Sequence, residues 1–458
     1  SPGVAASISV DGNAIFSGIT TATTLRAPTG IVTSLIANTA RATTGIVTTL
    51  TATTGIVTSF VTNTAKVGAA VTISESGIEA SGIGITCANI NGAKIGGRRN
   101  IIINGDMMVA QRGTSSGSSG YQTVDRIETS VNDLDEVPTF AQVDVASGTT
   151  PYTSGFRKAF KMTNGNQTGG AGTLDKSEIH YKIEAQDIAK SGWNYTSSSS
   201  FVTFSFWIKS SVAQNFFGNL KTTDGTAYNY PFETGSLSAD TWTKITKTIP
   251  GNSNLQFDND TDTGLTILFY GFMGTALTGS VSLDTWAAYA SSTRTPDQTS
   301  TWHTTNDATL EFTGLQLEVG PQATPFEHRS FGEELALCRR YYYRIGDGSN
   351  SYQLVGNGFI GENGGTKCGK ISIHPLTSMR TTPTISVIGT DSFRCTAGGN
   401  TMTCTATANT GGIWNSASTG DIMWMDFGRS GGSDVTVGDG CVVYADNNSA
   451  NLALDAEL

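Results

Sequence analysis

The chain has 458 residues, of which 54 are glycine and only 14% are charged, and it carries a formal charge of −10; an average domain has about 25% charged residues. Abundant Gly and Thr with so few Lys and Glu argue against a helical protein and for strands joined by turns. No apolar run approaches the ~18 residues that cross a bilayer, and no basic field could track a phosphate backbone, which argues against membrane insertion and nucleic-acid binding.

The charge is unevenly spread: +1 over residues 1–97, −7 over 98–330 and −4 over 331–458. Residues 1–97 read as a repeat region. Thr fills 17 of the 45 positions from 20 to 64, and GIVTSL, GIVTTL and GIVTSF start at Gly30, Gly45 and Gly55. β-Branched residues with recurrent Gly disfavour a helix. A solvated linker has no reason to keep Ile-Val apolar in every copy. A short unit cannot bury a core alone, so it must stack on its neighbours or on other chains. The expected form is a shaft of strands from three identical chains wound around one axis.

Residues 98–330 predict an antiparallel jelly-roll β-sandwich. Val202, Phe204, Phe206 and Ile208 alternate on one face of a strand, while Thr203, Ser205, Trp207 and Lys209 share the other. Thr241–Ile249 and Leu265–Met273 read as further strands. In TLEFTGLQLEVG the apolar row passes from Leu310 and Phe312 to Leu315, Leu317 and Val319, a slip at Gly314 that predicts a β-bulge. A short helix is expected around Ala185–Lys190. Residues 331–345 are a junction, a short helix led by Glu333 and Glu334 followed by a strand through Tyr341–Tyr343. Residues 346–458 predict a second, smaller β-sandwich head. The expected class is therefore all-β throughout.

RRNIIINGDMMVAQRGTS (Arg98 to Ser115) resembles the opening of the central module in phage tail-fibre proteins, especially those of marine cyanophages. YQTVDRI (Tyr121 to Ile127) is similar to the Tyr…Asp-Arg-aromatic element that follows there, with Ile127 where an aromatic is usual. LEFTGLQLEVGPQATPFEHRSFGEELALCRRYYYRI (Leu310 to Ile345) resembles the exit of that module, and the GIVT repeats look like the shafts of such fibres. Beyond residue 346 only the outline and the terminal DAEL are similar. The resemblance implies a homotrimeric virion fibre with a central domain like carbohydrate-binding modules and a distal head that touches the host. It implies a host-surface glycan such as lipopolysaccharide as receptor, and other tail or baseplate proteins as partners on the N-terminal side.

The constellations that could carry chemistry are sparse. GTSSG (Gly113 to Gly117) matches GxSxG, but a nucleophile elbow needs a strand before the Ser and a helix after it, and this Ser lies in a polar run. His180, His303, His328 and His374 stand alone, without metal-ligand spacing. The six cysteines show no CxxC. Cys395 and Cys404 flank a turn and could form a disulfide or remain free thiols, with thiols favoured. Asp258, Asp260 and Asp262 alternate like a calcium loop, yet Thr263 and Phe269 occupy the required Gly and Glu positions, which leaves a weak calcium candidate. No catalytic residue and no firm cofactor is expected.

Sugar binding needs flat aromatic faces and hydroxyl-matching amides or carboxylates. One expected patch is in the head: Trp414 and Asn415 in a Gly-rich loop, with Asp421, Trp424, Asp426 and Arg429 behind. The other is in the central module: Trp286, Tyr289, Trp302 and His303, with Trp193 and Tyr195 in a neighbouring loop. The expected function is glycan attachment without catalysis. A tail glycan depolymerase and a structural connector carrying a separate adhesin are the alternatives.

Overall fold

The computed structural model describes residues 98–346, 352–389, 392–405, 423–446 and 450–458, together with short strands between residues 6 and 94. The chain forms two compact units, Ser1–Thr86 and Cys87–Leu458. In the first, Ala6–Ile8 (β1) and Ala14–Phe16 (β2) pair antiparallel. Ile31–Val32 (β3) and Leu35–Ile36 (β4) belong to one GIVT copy, and Ile46–Val47 (β5) and Leu50–Thr51 (β6) to the next. β3 runs parallel to β5 and β4 to β6, with Ile31 opposite Ile46 and Leu35 opposite Leu50. Equivalent positions of the two copies therefore stack in register, and the pairing seen is between copies of one chain. Thr64–Val67 (β7), Val71–Ser74 (β8) and Gly77–Ala80 (β9) form an antiparallel meander.

The second unit begins with a hairpin, Asn89–Ile90 (β10) and Ala93–Lys94 (β11). The sandwich then uses Ser115–Ser116 (β12), Ile127–Asn132 (β13), Thr139–Asp144 (β14), Lys158–Thr163 (β15), Lys176–Glu184 (β16), Phe201–Ser210 (β17), Asn215–Thr222 (β18), Tyr228–Ser236 (β19), Thr243–Pro250 (β20), Thr263–Met273 (β21), Ala287–Ala288 (β22) and Thr309–Val319 (β23). One six-stranded sheet has the order β12-β14-β15-β23-β17-β20, and the other β13-β16-β21-β18-β19-β22. Every pairing within them is antiparallel.

Period-two patterning explains the core. Val202, Phe204, Phe206 and Ile208 of β17 are all fully buried, as are Leu310 and Leu317 of β23. Phe206, Phe269 and Phe312 meet at ring separations of 4.5–6.2 Å. The expected bulge is present: Ser205 pairs with Gln316 and Trp207 with Thr313, so β23 carries an extra residue. Gly314 holds φ +67° there, and a Cβ would fall 2.7 Å from the Phe156 ring. Only glycine suits both constraints.

The helices among the described residues are Thr150–Thr153 (α1), Ala185–Ala189 (α2) and Phe331–Cys338 (α3). The Ser330 hydroxyl accepts the Glu333 N–H at 3.3 Å, an N-cap on α3. The opening and exit segments of the sandwich are stitched together by buried polar groups. Asn100 donates to Leu315 O and accepts from Leu317 N, while Glu327 accepts the Arg99 and Asn100 N–H groups. Glu334 of α3 accepts the Asn104 N–H.

The remaining strands are Tyr342–Ile345 (β24), Leu354–Asn363 (β25), Thr366–Ile373 (β26), Thr384–Ile388 (β27), Phe393–Ala397 (β28), Asn400–Thr405 (β29), Met423–Gly432 (β30), Gly440–Ala445 (β31) and Asn451–Asp455 (β32). The head is a closed barrel, β25-β26-β30-β29-β28-β31, beside a three-stranded sheet β24-β32-β27. Closure removes the sheet edges that an open head would leave unpaired. Cys368, Cys395, Cys404 and Cys441 are buried thiols in this core. Cys395 faces Met402 and Cys404 faces Phe393. The two sulfurs thus sit on diagonal positions, where Cα atoms lie about 7–8 Å apart, and they stay unbridged.

A cluster of buried contacts joins the last segment of the chain to the sandwich. Arg126, 1% exposed and at φ +72°, points its guanidinium at the Glu457 carboxylate, 4% exposed, and stacks it 3.5 Å from the Tyr341 ring centre. Arg112 pairs with Asp455 at 3.0 Å and Glu457 at 3.2 Å, lying over Tyr342. Tyr121 and Lys182 donate to the Leu458 carbonyl. Removing one partner of such a buried pair strands the other charge, at a cost of about 3–5 kcal/mol. Glu457→Gln is expected to lower the urea midpoint accordingly, and Arg126→Met to do the same, in equilibrium denaturation followed by Trp fluorescence.

Candidate functional site

The residues singled out in the central module turn inward. Trp302 is 0% exposed: its Nε1 donates to Thr309 O at 3.1 Å and its ring meets Phe216 edge-on. His303 is equally buried, stacked 4.3 Å from Phe272, with Nε2 3.1 Å from Asp175. Burial pulls its pKa below the usual histidine value despite Asp175. A side chain with no accessible surface cannot stack on a sugar, so both are corrected from contact residues to core. Trp193 and Trp286 are core too, each donating its indole N–H to a backbone carbonyl. Tyr195 and Tyr289 stay half-exposed.

In the head, Trp414, Asn415 and Asp421 lie outside the described residues, and so does the side chain of Trp424, whose backbone belongs to β30. Arg429 is exposed and donates to Gly432 O at 2.9 Å. Asp426 accepts from Lys370 Nζ at 2.8 Å. The aspartate turn does structural service: the carbonyls of Asp260 and Asp262 accept the first N–H groups of α2, and Arg380 reaches Thr261 O and Asp262.

The barrel instead presents an aromatic face that sequence reasoning missed. Tyr352 is 60% exposed and holds φ +65°, a conformation costly for a bulky residue. Its ring lies 5.7 Å from that of Tyr444. The register sets Leu354 opposite Tyr444 and Arg394 on its other side. Arg394 stands 5.8 Å over the Tyr352 ring and is held by an ion pair to Asp446. Thr396 bonds both the Tyr444 hydroxyl at 3.0 Å and Thr401 at 2.9 Å. Exposed Asn357, Phe359 and Val442 extend the face along β25 and β31. Flat rings, hydroxyls, an amide and a guanidinium side by side match what a pyranose offers. The signal existed in SNSYQLVGNGF, where Tyr352 sits in the same Gly/Asn/Ser setting as Trp414.

Among the described residues, the central module carries a cleft and a polar pocket. A cleft of about 480 Å³ is lined by Arg98, Arg99, Lys190, Arg329 and apolar Ile101 and Val319. A polar pocket of about 290 Å³ is lined by Glu136, Thr139, Asn164, Asn166, Asn306 and Asp307. Away from both, His180 on β16 is bracketed by Glu128 at 3.2 Å and Glu178 at 3.1 Å, while Lys176, Lys182 and Arg294 neutralise the carboxylates.

No known family profile matches the chain, and no curated protein is similar at a significant level. Solved structures give distant likenesses. The enzymatically active domain of tailspike protein 4 from bacteriophage CBA120 is 8% identical with TM-score 0.25, covering 48% of this chain and 21% of that one. The family 11 carbohydrate-binding module of Clostridium thermocellum is 13% identical with TM-score 0.21, covering 47% and 98%. The N-terminal cellulose-binding domain of Cellulomonas fimi β-1,4-glucanase C is 9% identical with TM-score 0.23, covering 47% and 99%.

The His180 cluster has a pH signature. Burial alone would lower its pKa, but the two carboxylates outweigh burial and raise it. Its stabilisation is thus full below the unfolded value near 6.5 and is lost as pH rises through the higher folded value. Glu178 would be raised by burial, yet His180 and Lys176 hold it at about 2, so its contribution is present above pH 4.5 and fades as pH falls towards 2. His180→Gln is expected to flatten the stability loss above neutral pH, measured as urea midpoints across pH 5–9.

Proposed function

We propose that this chain is a phage tail fibre that attaches the virion to a host-surface glycan without cleaving it, through the aromatic face of its barrel. The observation that carries this reading is Tyr352, an exposed aromatic held at positive φ beside Tyr444 and ringed by hydrogen-bonding groups. Strain retained at an exposed ring is a mark of use rather than of packing. Asp446, the carboxylate at the edge of the pair among the described residues, is engaged by Arg394 and Ser392, which suits binding better than acid–base work. The stacked repeats supply a shaft, and the sequence resemblance to tail fibres supplies the homotrimer. Three weak sites per fibre then act through effective concentration.

Tyr352→Ala and Tyr444→Ala are each expected to lower adsorption to host cells about tenfold or more, with thermal stability unchanged; each tenfold is about 1.4 kcal/mol. Unchanged adsorption of both variants overturns the head site. Release of oligosaccharide from envelope glycan by the purified chain turns the reading into the depolymerase. Sedimentation as a monomer removes the trimer.

A further inference from the structure

The loops at one end of the sandwich build a second site. β14 starts at Thr139, β15 ends at Thr163 and β23 starts at Thr309, and these three residues are cross-strand neighbours. The segments leading into or out of them, around Glu136, Asn164–Asn166 and Asn306–Asp307, surround the pocket of about 290 Å³. Its volume is at the lower end for ligand pockets, the size of a single sugar rather than a chain.

The pocket is rich in acceptors and contains no cation. Lys, Arg and His are absent from its lining, whereas Glu136 and Asp307 contribute carboxylates and Asn164, Asn166 and Asn306 contribute amides. Asn164 fixes its polarity. Its side-chain nitrogen donates to the carbonyls of His303 at 2.5 Å and Thr305 at 3.1 Å, with Trp302 O at 3.4 Å. Its Oδ1 is therefore turned the other way, and it has no partner although the residue is only 2% exposed. An orphaned buried acceptor costs about 1–3 kcal/mol. Glu136 is partly committed, one oxygen accepting the Asn166 N–H at 2.7 Å. Asp307, at φ +57°, and Asn306 are exposed at the rim.

We propose that this pocket is a subsite for an uncharged sugar, whose hydroxyl groups donate to Asn164, Asp307 and Glu136, and that it excludes uronic acids and sugar phosphates. A hydroxyl both donates and accepts and so suits a wall of carboxylates and amides, whereas an anion meets two carboxylates and no counter-charge. This deepens the glycan-binding reading and rests on it, but it places a contact on the central module, separate from the barrel face. Fibre recognition then has two elements: aromatic stacking at the head and hydroxyl reading on the sandwich.

Saturation-transfer NMR on the full chain tests it, using methyl glycosides of glucose, galactose, mannose and N-acetylglucosamine against methyl glucuronide. At least one neutral glycoside is expected to bind saturably in the millimolar range. Asp307→Ala and Asn306→Leu, both at the exposed rim, should each weaken it about fivefold or more. Asn164→Leu should abolish it; circular dichroism reports whether that variant folds, and the rim variants decide if it does not. No saturable neutral ligand, equal binding of the glucuronide, or indifference to both rim substitutions overturns the subsite. Loss with Tyr352→Ala alone assigns the signal to the barrel face and also overturns the subsite.

Discussion

The buried guanidinium of Arg126 is the constraint around which the second unit is organised. A charge with 1% exposure is tolerable only while its partners stay in place, and the charge and these partners come from three parts of the chain. Arg126 leads into β13, Tyr341 follows α3, and Glu457 follows β32. The neighbouring Asp125 faces the opposite way, accepting from Gln111 N at 2.8 Å, and burial pushes its pKa up to about 6. Gln111 in turn donates to Tyr342 O. One Asp-Arg dipeptide thereby ties the opening segment, the junction and the last segment to the sandwich, so sandwich and barrel cannot separate without exposing or stranding charge.

This division of labour separates support from contact. Asn100, Asn104, Glu327, Arg329 and Glu334, in the opening and exit segments of the sandwich, hydrogen-bond to backbone and to each other. The exposed aromatic pair, by contrast, lies on the barrel. Even Trp302 and His303 serve indirectly, since their carbonyls orient Asn164.

Much of the fold was legible in the sequence. Alternation in VTFSFWIKS, the slip at Gly314, the helix at Ala185 and the short helix led by Glu333 and Glu334 each follow from local chemistry, and each is found. The barrel form of the head was not legible, because closure depends on β25 meeting β31 across almost the full length of that region. The site was only partly legible. A Trp in a polar loop is ambiguous from sequence: Trp302 has polar neighbours on both sides, yet its loop folds over the sandwich end and drives the indole inward. Tyr352 carries the same local signal with the opposite outcome, because the β25–β31 face lies on the outside of a closed barrel.

The in-register stacking of β3 on β5 and β4 on β6 has a consequence for how such a molecule changes over time. Each repeat copy added or deleted by duplication would lengthen or shorten the stack by one strand spacing, about 4.8 Å. Because Ile meets Ile and Leu meets Leu, a new copy brings its own complementary surface and needs no compensating change elsewhere. The stack can thus grow or shrink by small, nearly neutral steps.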